Sequence, residues 1–365
     1  MSRFALSRRQ ALAGFSSIVA ASPLLRAQQT PPLEGEPPGR IAPHGELINA
    51  FEFEQMAKRK LDNEAYSLIV GSDRREFDRM TYRPRLMVDV MELDLTIELF
   101  GDSMFAPILV GPASDQKRFH PEGELAMAAG ASAAQAAMVV SSRASYPFDE
   151  IAAQAKTPLW YQVYPGADEA AVVTKVRQAV KAGCRAICLT VGTPFEPAGS
   201  GGYPKLGEIQ VQANPALDWE YIDRLRQSIE APLLLKGVMS ADEAGTAVGK
   251  GIQGIIVSNH GGRYLTGLVQ PMTVLPEIVE AVAGKIPVLI DGSFRRGSDI
   301  LKALALGARA VLLGRPPLWG LAAYGAAGVQ TILEMLQTEL AADMAMCGAM
   351  NLGAVTRDLV KIHRR

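Results

Sequence analysis

Ile286-Pro287-Val288-Leu289-Ile290-Asp291, then Gly292-Ser293-Phe294-Arg295-Arg296-Gly297, a helical pattern over residues 298–306 and the run Ala310-Val311-Leu312-Leu313-Gly314 decide the fold. Each apolar run is too short for a helix and lacks the polar alternation of a half-solvated strand, so it reads as a strand buried on both faces. Two such strands joined through a helix make a parallel crossover unit. Outward from this stretch the pattern recurs: strand 108–111 with helix 122–136, 137–140 with 148–155, 159–163 with 168–182, and 186–190 with 219–228 after a long loop. Strand 232–236 precedes helix 241–250, 254–258 precedes 273–283, and 310–314 precedes 318–344. Counting the quoted unit, eight strand and helix pairs result.

Eight buried parallel strands fit a single-domain closed (β/α)8 barrel, with an open doubly wound sheet as the competing architecture. Closure is favoured by where polar residues fall. Ser141, Gln162, Thr190, Lys236, Ser258, Asp291 and Gly314-Arg315 each end an apolar run, and in a barrel those ends meet at one mouth, where active sites lie.

The chain of 365 residues balances 37 basic against 38 acidic side chains, which gives no basic footprint for nucleic acid. Cys184, Cys188 and Cys347 form no zinc-type pair and read as buried thiols; the four histidines show no ligand spacing. At the N-terminus, Arg3, Arg8 and Arg9 precede an uncharged run from Gln10 to Leu25, shorter than the roughly 20 residues that span a bilayer. Residues 1–27 are therefore expected to be an export signal rather than a membrane span, with Ala27 at the cleavage site. Ser7-Arg8-Arg9-Gln10-Ala11-Leu12 resembles the twin-arginine motif used by proteins exported folded, which predicts a periplasmic or otherwise exported product. Residues 28–45 carry Pro31, Pro32, Pro37, Pro38 and Pro43 and read as a linker, so the barrel domain is placed at 46–365.

At the predicted mouth, the loops after the seventh and eighth strands bring glycine backbone together with Arg295, Arg296 and Arg315, a composition suited to a phosphate-bearing ligand. The loop after the sixth strand supplies His260, able to act as general base, and Arg263, able to clamp a carboxylate in two-point geometry. Lys236 ends the fifth strand with no anionic neighbour in sequence and is suited to stabilising negative charge on a cofactor.

From about residue 51 to 360 the chain resembles the flavin-dependent 2-hydroxy acid oxidase and dehydrogenase family, the group of glycolate oxidase, lactate oxidase and flavocytochrome lactate dehydrogenases. The resemblance is carried by Tyr82-Arg83-Pro84-Arg85, His120-Pro121-Glu122-Gly123-Glu124, Ser258 to Arg263, Asp291 to Gly297 and Lys302 to Ala308. It implies a barrel with FMN at its mouth, contacted by Pro112, Ala113, Ser114, Ser141, Gln162, Thr190, Lys236 and Ser258. The FMN phosphate is expected on Asp291, Gly292, Ser293, Arg295, Gly314 and Arg315. The implied reaction oxidises an (S)-2-hydroxy acid to a 2-oxo acid, with His260 taking a proton, Arg263 holding the carboxylate and Tyr164 near the substrate oxygen. It also implies a homotetramer and, since no haem domain is visible, an external electron acceptor such as oxygen, a quinone or a cytochrome.

Several positions depart from the family pattern. Gly192, in Thr190-Val191-Gly192-Thr193-Pro194, stands where the family has an aspartate paired with the histidine. Leu68 falls at a carboxylate-binding tyrosine, and Arg143 replaces a large aromatic. The family's second carboxylate arginine is absent, since residues 195–202 contain none, and Arg143 is expected to restore its charge from another wall or else to pair with a surface acid. The cofactor positions match the family and the substrate positions do not, so the competing reading is a flavin-binding barrel with lost or altered 2-hydroxy acid chemistry.

Overall fold

The computed structural model describes residues 39–85, 87–88, 92–166, 168–192, 195–197, 209–211, 218–262 and 269–363. The expected export signal, most of the linker and Arg263 lie outside the described residues. Ala42–Arg365 forms one compact unit. Its centre is a closed barrel of parallel strands: β1 (Ile108–Val110), β2 (Ala137–Ser141), β3 (Leu159–Val163), β4 (Ile187–Thr190), β5 (Leu233–Val238), β6 (Gly254–Val257), β7 (Val288–Asp291) and β8 (Ala310–Leu313). The ring closes where β8 pairs with β1, Leu312 opposite Leu109. The open-sheet alternative is thereby excluded.

The helices follow in turn: α1 (Gly123–Ala133), α2 (Phe148–Gln154), α3 (Glu169–Lys181), α4 (Trp219–Gln227), α5 (Ala241–Gly249), α6 (Pro271–Val282), α7 (Gly297–Ala305) and α8 (Arg315–Met346). Where the sequence suggested one helix over 318–344, α8 starts three residues earlier and is broken at Gly325, whose φ of 62° is left-handed. A Cβ there would lie 3.1 Å from His120 Nε2, so the break is where the imidazole packs against bare backbone. None of the described helices is long and apolar enough to cross a membrane.

The barrel interior is filled from within and from below. Leu109, Val139, Trp160, Cys188, Leu234 and Ile256 share one buried cluster with Ile97, Leu99 and Met104. The last three belong to an antiparallel hairpin, Ile97–Leu99 with Asp102–Met104, that stops the N-terminal end. Phe100 at its turn meets the Trp160 ring edge-on at 5.4 Å. With that end of the barrel plugged by side chains, the C-terminal end is the one that opens into a mouth. Before the barrel, helices Ala50–Lys60, Asn63–Ile69 and Arg75–Asp78 bring Leu68, Ser72 and Arg74 to that mouth, a placement that strand and helix alternation could not reveal.

Candidate active site

At the mouth lies a cavity of about 260 Å³. Of the residues singled out from sequence, Pro112, Ala113, Gln162, Tyr164, Thr190, Lys236 and His260 line it from β1 and β3–β6 and the loops that follow them. Asp291, Gly292, Ser293 and Arg295 line it after β7, and Gly314 and Arg315 after β8, while Leu68 closes one side. Ser114, Ser141 and Ser258 stand just behind the lining. Ser114 and Ser141 hydroxyls lie 3.1 Å apart, Ser141 Oγ donates to Gln162 Oε1 at 3.1 Å, and Gln162 Nε2 donates to Thr190 Oγ1 at 2.7 Å. This relay runs across the ends of three adjacent strands, so each polar side chain is satisfied and held in one orientation.

The loop after β7 is built around Arg295, 3% exposed. Its Nη1 donates to Phe294 O at 2.7 Å and its guanidinium stacks 4.5 Å over Trp319, but the buried Nη2 has no partner among the described residues. Burial first, then the neighbouring Arg315 and Arg74, push its pKa down to about 9. Asp299 holds the loop from beneath: Oδ2 accepts from the backbone N–H groups of Arg295 and Arg296, each at 2.9 Å, and the carboxylate grips Arg74 at 2.9 and 3.1 Å. Arg74 also donates to Ser293 O at 3.2 Å, and Ser72 and Ser293 hydroxyls meet at 2.7 Å. None of Ser72, Arg74 or Asp299 was singled out from sequence. The one available signal was Asp299 in the first turn of a helical pattern, three positions after Arg296.

Lys236, without an anionic neighbour in sequence, has one in space: its Nζ lies 2.7 Å from Asp291 Oδ2 and donates to Ser258 Oγ at 2.9 Å. Parallel pairing of β5 with β6 and of β6 with β7 brings these strand ends together although the chain keeps them far apart. His260 follows Ser258 in left-handed backbone, φ 55°, with its N–H donating to Ser258 Oγ at 3.1 Å. Its ring Nε2 donates to the main-chain carbonyl of Val191 at 2.9 Å. Burial and the Lys236 ammonium push the imidazole pKa down to about 4 against a smaller opposing pull from Asp291 and Val191.

That depression predicts a stability effect. Above pH ~6.5 the ring is neutral in folded and unfolded chains alike; between pH ~6.5 and ~4 only the unfolded chain takes the proton, so stability falls as pH falls. For protein stripped of small molecules, urea unfolding at pH 7 and pH 5 is expected to show wild type losing about 2 kcal/mol more than His260→Gln. Equal losses in the two proteins would refute the depressed titration.

Arg143, on the loop after β2, places its guanidinium 4.2 Å over the Tyr164 ring, so two residues expected to meet substrate touch each other. Buried Glu124 of the His120 to Glu124 motif pins this loop and the one after β1, its Oε1 accepting from the Gln116 and Ser145 N–H groups at 3.0 Å each. Arg263 lies outside the described residues.

A phosphate-bearing cofactor fits these residues. Among the described residues Arg295 keeps a buried donor unused, Gly314 precedes α8 without a side-chain cap, and the space a Gly314 Cβ would point into holds no atom within 4 Å. Pro316 and Pro317 carry no N–H, so at this helix start the backbone of Gly314 and Arg315, beside converging guanidiniums, is what favours a dianion. Fold and site together define a barrel enzyme that anchors a phosphorylated cofactor beside an ammonium and an imidazole. Comparison with known proteins narrows this. The family model described as FMN-dependent dehydrogenase matches residues 60–201 and 196–362. A peroxisomal (S)-2-hydroxy-acid oxidase of Oryza sativa subsp. japonica is 37% identical over 349 residues, covering 86% of this chain and 95% of that one. An L-lactate oxidase of Nostoc sp. is 37% identical over 351 residues, covering 84% and 95%. The crystal structure of mandelate oxidase with (S)-4-hydroxymandelic acid superposes with a TM-score of 0.80 at 34% identity, covering 87% of this chain and all of that one. The chain belongs to the FMN-dependent dehydrogenase family, in its 2-hydroxy acid oxidase group: it is an enzyme acting on CH–OH donors, and FMN is its cofactor.

Proposed function

We propose that the enzyme oxidises an (S)-2-hydroxy acid to the 2-oxo acid with oxygen as final acceptor. The observation that carries this is the gathering of His260, Lys236, Tyr164 and the phosphate loop around one cavity. FMN, when bound, would take the two electrons and one of the two protons that leave the substrate, the other proton going to His260. Arg295, Ser293, Gly314 and Arg315 would hold its phosphate, while Lys236, Gln162 and Thr190, with Ser141 behind them, would line the place of the flavin. Neutral His260 takes a proton from the hydroxy acid at its unprotonated ring nitrogen. Arg263 binds the carboxylate, and Arg143, held against Tyr164, adds a second positive charge above the substrate.

The test is anaerobic mixing of the yellow protein with glycolate, L-lactate and (S)-mandelate, followed by admission of oxygen. Bleaching by at least one acid and return of colour with oxygen are expected, with Arg143→Ala needing about tenfold more acid if a charge-assisted contact worth roughly 1.5 kcal/mol is lost. A yellow protein that no 2-hydroxy acid reduces would instead support the flavin-binding barrel with altered chemistry. Bleaching without recovery in oxygen would move the acceptor to a quinone or cytochrome.

We further propose that residues 1–27 direct export by the twin-arginine route. Expressed in a bacterium with that pathway, the protein is expected in the periplasm with Gln28 as its first residue by mass spectrometry. Recovery of the intact chain from the cytoplasm, unchanged when Arg8 and Arg9 are both replaced by Lys, would overturn the assignment.

A further inference from the structure

We propose that the main-chain carbonyl of Val191 is the orienting partner of His260, fixing the ring as the Nε2–H tautomer and leaving Nδ1 as the atom that takes the substrate's proton. This rests on the reading of His260 as base and specifies its atom. Where the family resemblance places a carboxylate, Gly192 offers no side chain, and the preceding peptide takes up the bond at 2.9 Å. A carbonyl oxygen only accepts, so the nitrogen facing it carries the hydrogen. The carbonyl is rigidly held: Val191 N–H donates to Lys236 O at 2.8 Å, extending the β4–β5 ladder one residue past Thr190. Gly237, at the bulge that ends β5, makes room for the contact. With φ at 118°, a Cβ on it would strike Val191 O and lie 2.7 Å from His260 Nε2.

A carbonyl carries a partial charge and a carboxylate a full one, so the imidazolium formed when Nδ1 takes a proton is less stabilised than in a carboxylate pair. Among the described residues, the other groups around the ring do not replace that charge. Asp291 on β7 is engaged by Lys236 on β5, Arg315 on α8 donates to Gly261 O at 3.2 Å beside the ring, and Tyr164 lines the same cavity. His260 is therefore a weak base that stays unprotonated into acid pH, which sustains proton transfer where a carboxylate-paired histidine is already charged.

The experiment is nitrogen NMR of FMN-loaded protein labelled at histidine, without substrate, with the His260 signals assigned by their loss in His260→Gln. At neutral pH a protonated Nε2 and an unprotonated Nδ1 are expected. Gly192→Asp, whose Cβ would lie 3.8 Å from Nε2, is expected to raise the ring's proton affinity at least tenfold over Gly192→Asn, which carries the same left-handed strain without the charge. An Nδ1–H tautomer would overturn the proposal, as would equal proton affinities in the Asp and Asn variants. Undiminished flavin reduction by His260→Gln would overturn the base assignment instead, and the tautomer is read without turnover, so the two failures are distinguishable.

Discussion

Arg295→Met is expected to fold, to purify almost colourless and to bind FMN more weakly by a factor of about 10² to 10³. The guanidinium is buried with Nη2 unpartnered, so the protein alone carries the desolvation of this charge without full compensation. A phosphate dianion supplies the missing acceptor, and truncating one side of such a buried charge pair costs about 2–5 kcal/mol of binding. Methionine keeps the unbranched shape that packs on Trp319 and removes repulsion from Arg315 and Arg74, which are the charges that depress the Arg295 pKa. The FMN-free variant should therefore unfold at the same urea concentration as wild type or a higher one, even as flavin is lost. Fluorescence titration with FMN, paired with urea unfolding of the stripped proteins, checks both signs. Wild-type affinity in the variant would show that the phosphate is held elsewhere.

His260→Gln is expected to keep its flavin and to lose reactivity. The cradle lies on the loops after β7 and β8, whereas His260 follows β6, so cofactor retention should stay within about threefold of wild type, a change under roughly 1 kcal/mol. The rate of flavin reduction by the best 2-hydroxy acid should fall by about 10² to 10⁴, the usual contribution of a positioned general base. Stopped-flow absorbance without oxygen measures it. A rate within tenfold of wild type would remove His260 from the reaction and shift attention to Tyr164. These two variants separate holding the cofactor from using it, so joint loss of colour and rate in His260→Gln would contradict the division of labour.

The barrel was legible because its signal is local. A strand buried on both faces must be a short apolar run whatever surrounds it, and β3 begins and ends where the sequence pattern placed it, at Leu159 and Val163. The polar strand ends were legible for the same reason, since a polar residue closing an apolar run stands out without knowledge of its partner. The N-terminal helices were overlooked because they fall outside the repeating alternation, and with them went Arg74, which clamps a loop 225 positions away through Asp299. The break at Gly325 was hidden inside a continuous helical pattern, because a glycine in left-handed backbone is spelled like any other glycine.

The sequence by itself determined which side chains would collect at one mouth, since parallel strands all present their C-terminal ends to the same side. Only the tertiary structure decided which of them pair. Lys236 meets Asp291, and His260 meets a backbone carbonyl in place of a carboxylate. Hydrogen bonds and charge pairs act over a few ångströms of space, and closing the barrel sets those distances between residues that the chain keeps far apart. A main-chain carbonyl is present at every residue, so that of Val191 has no signature in the sequence, and its contact with the imidazole emerges only from the folded ring of strands.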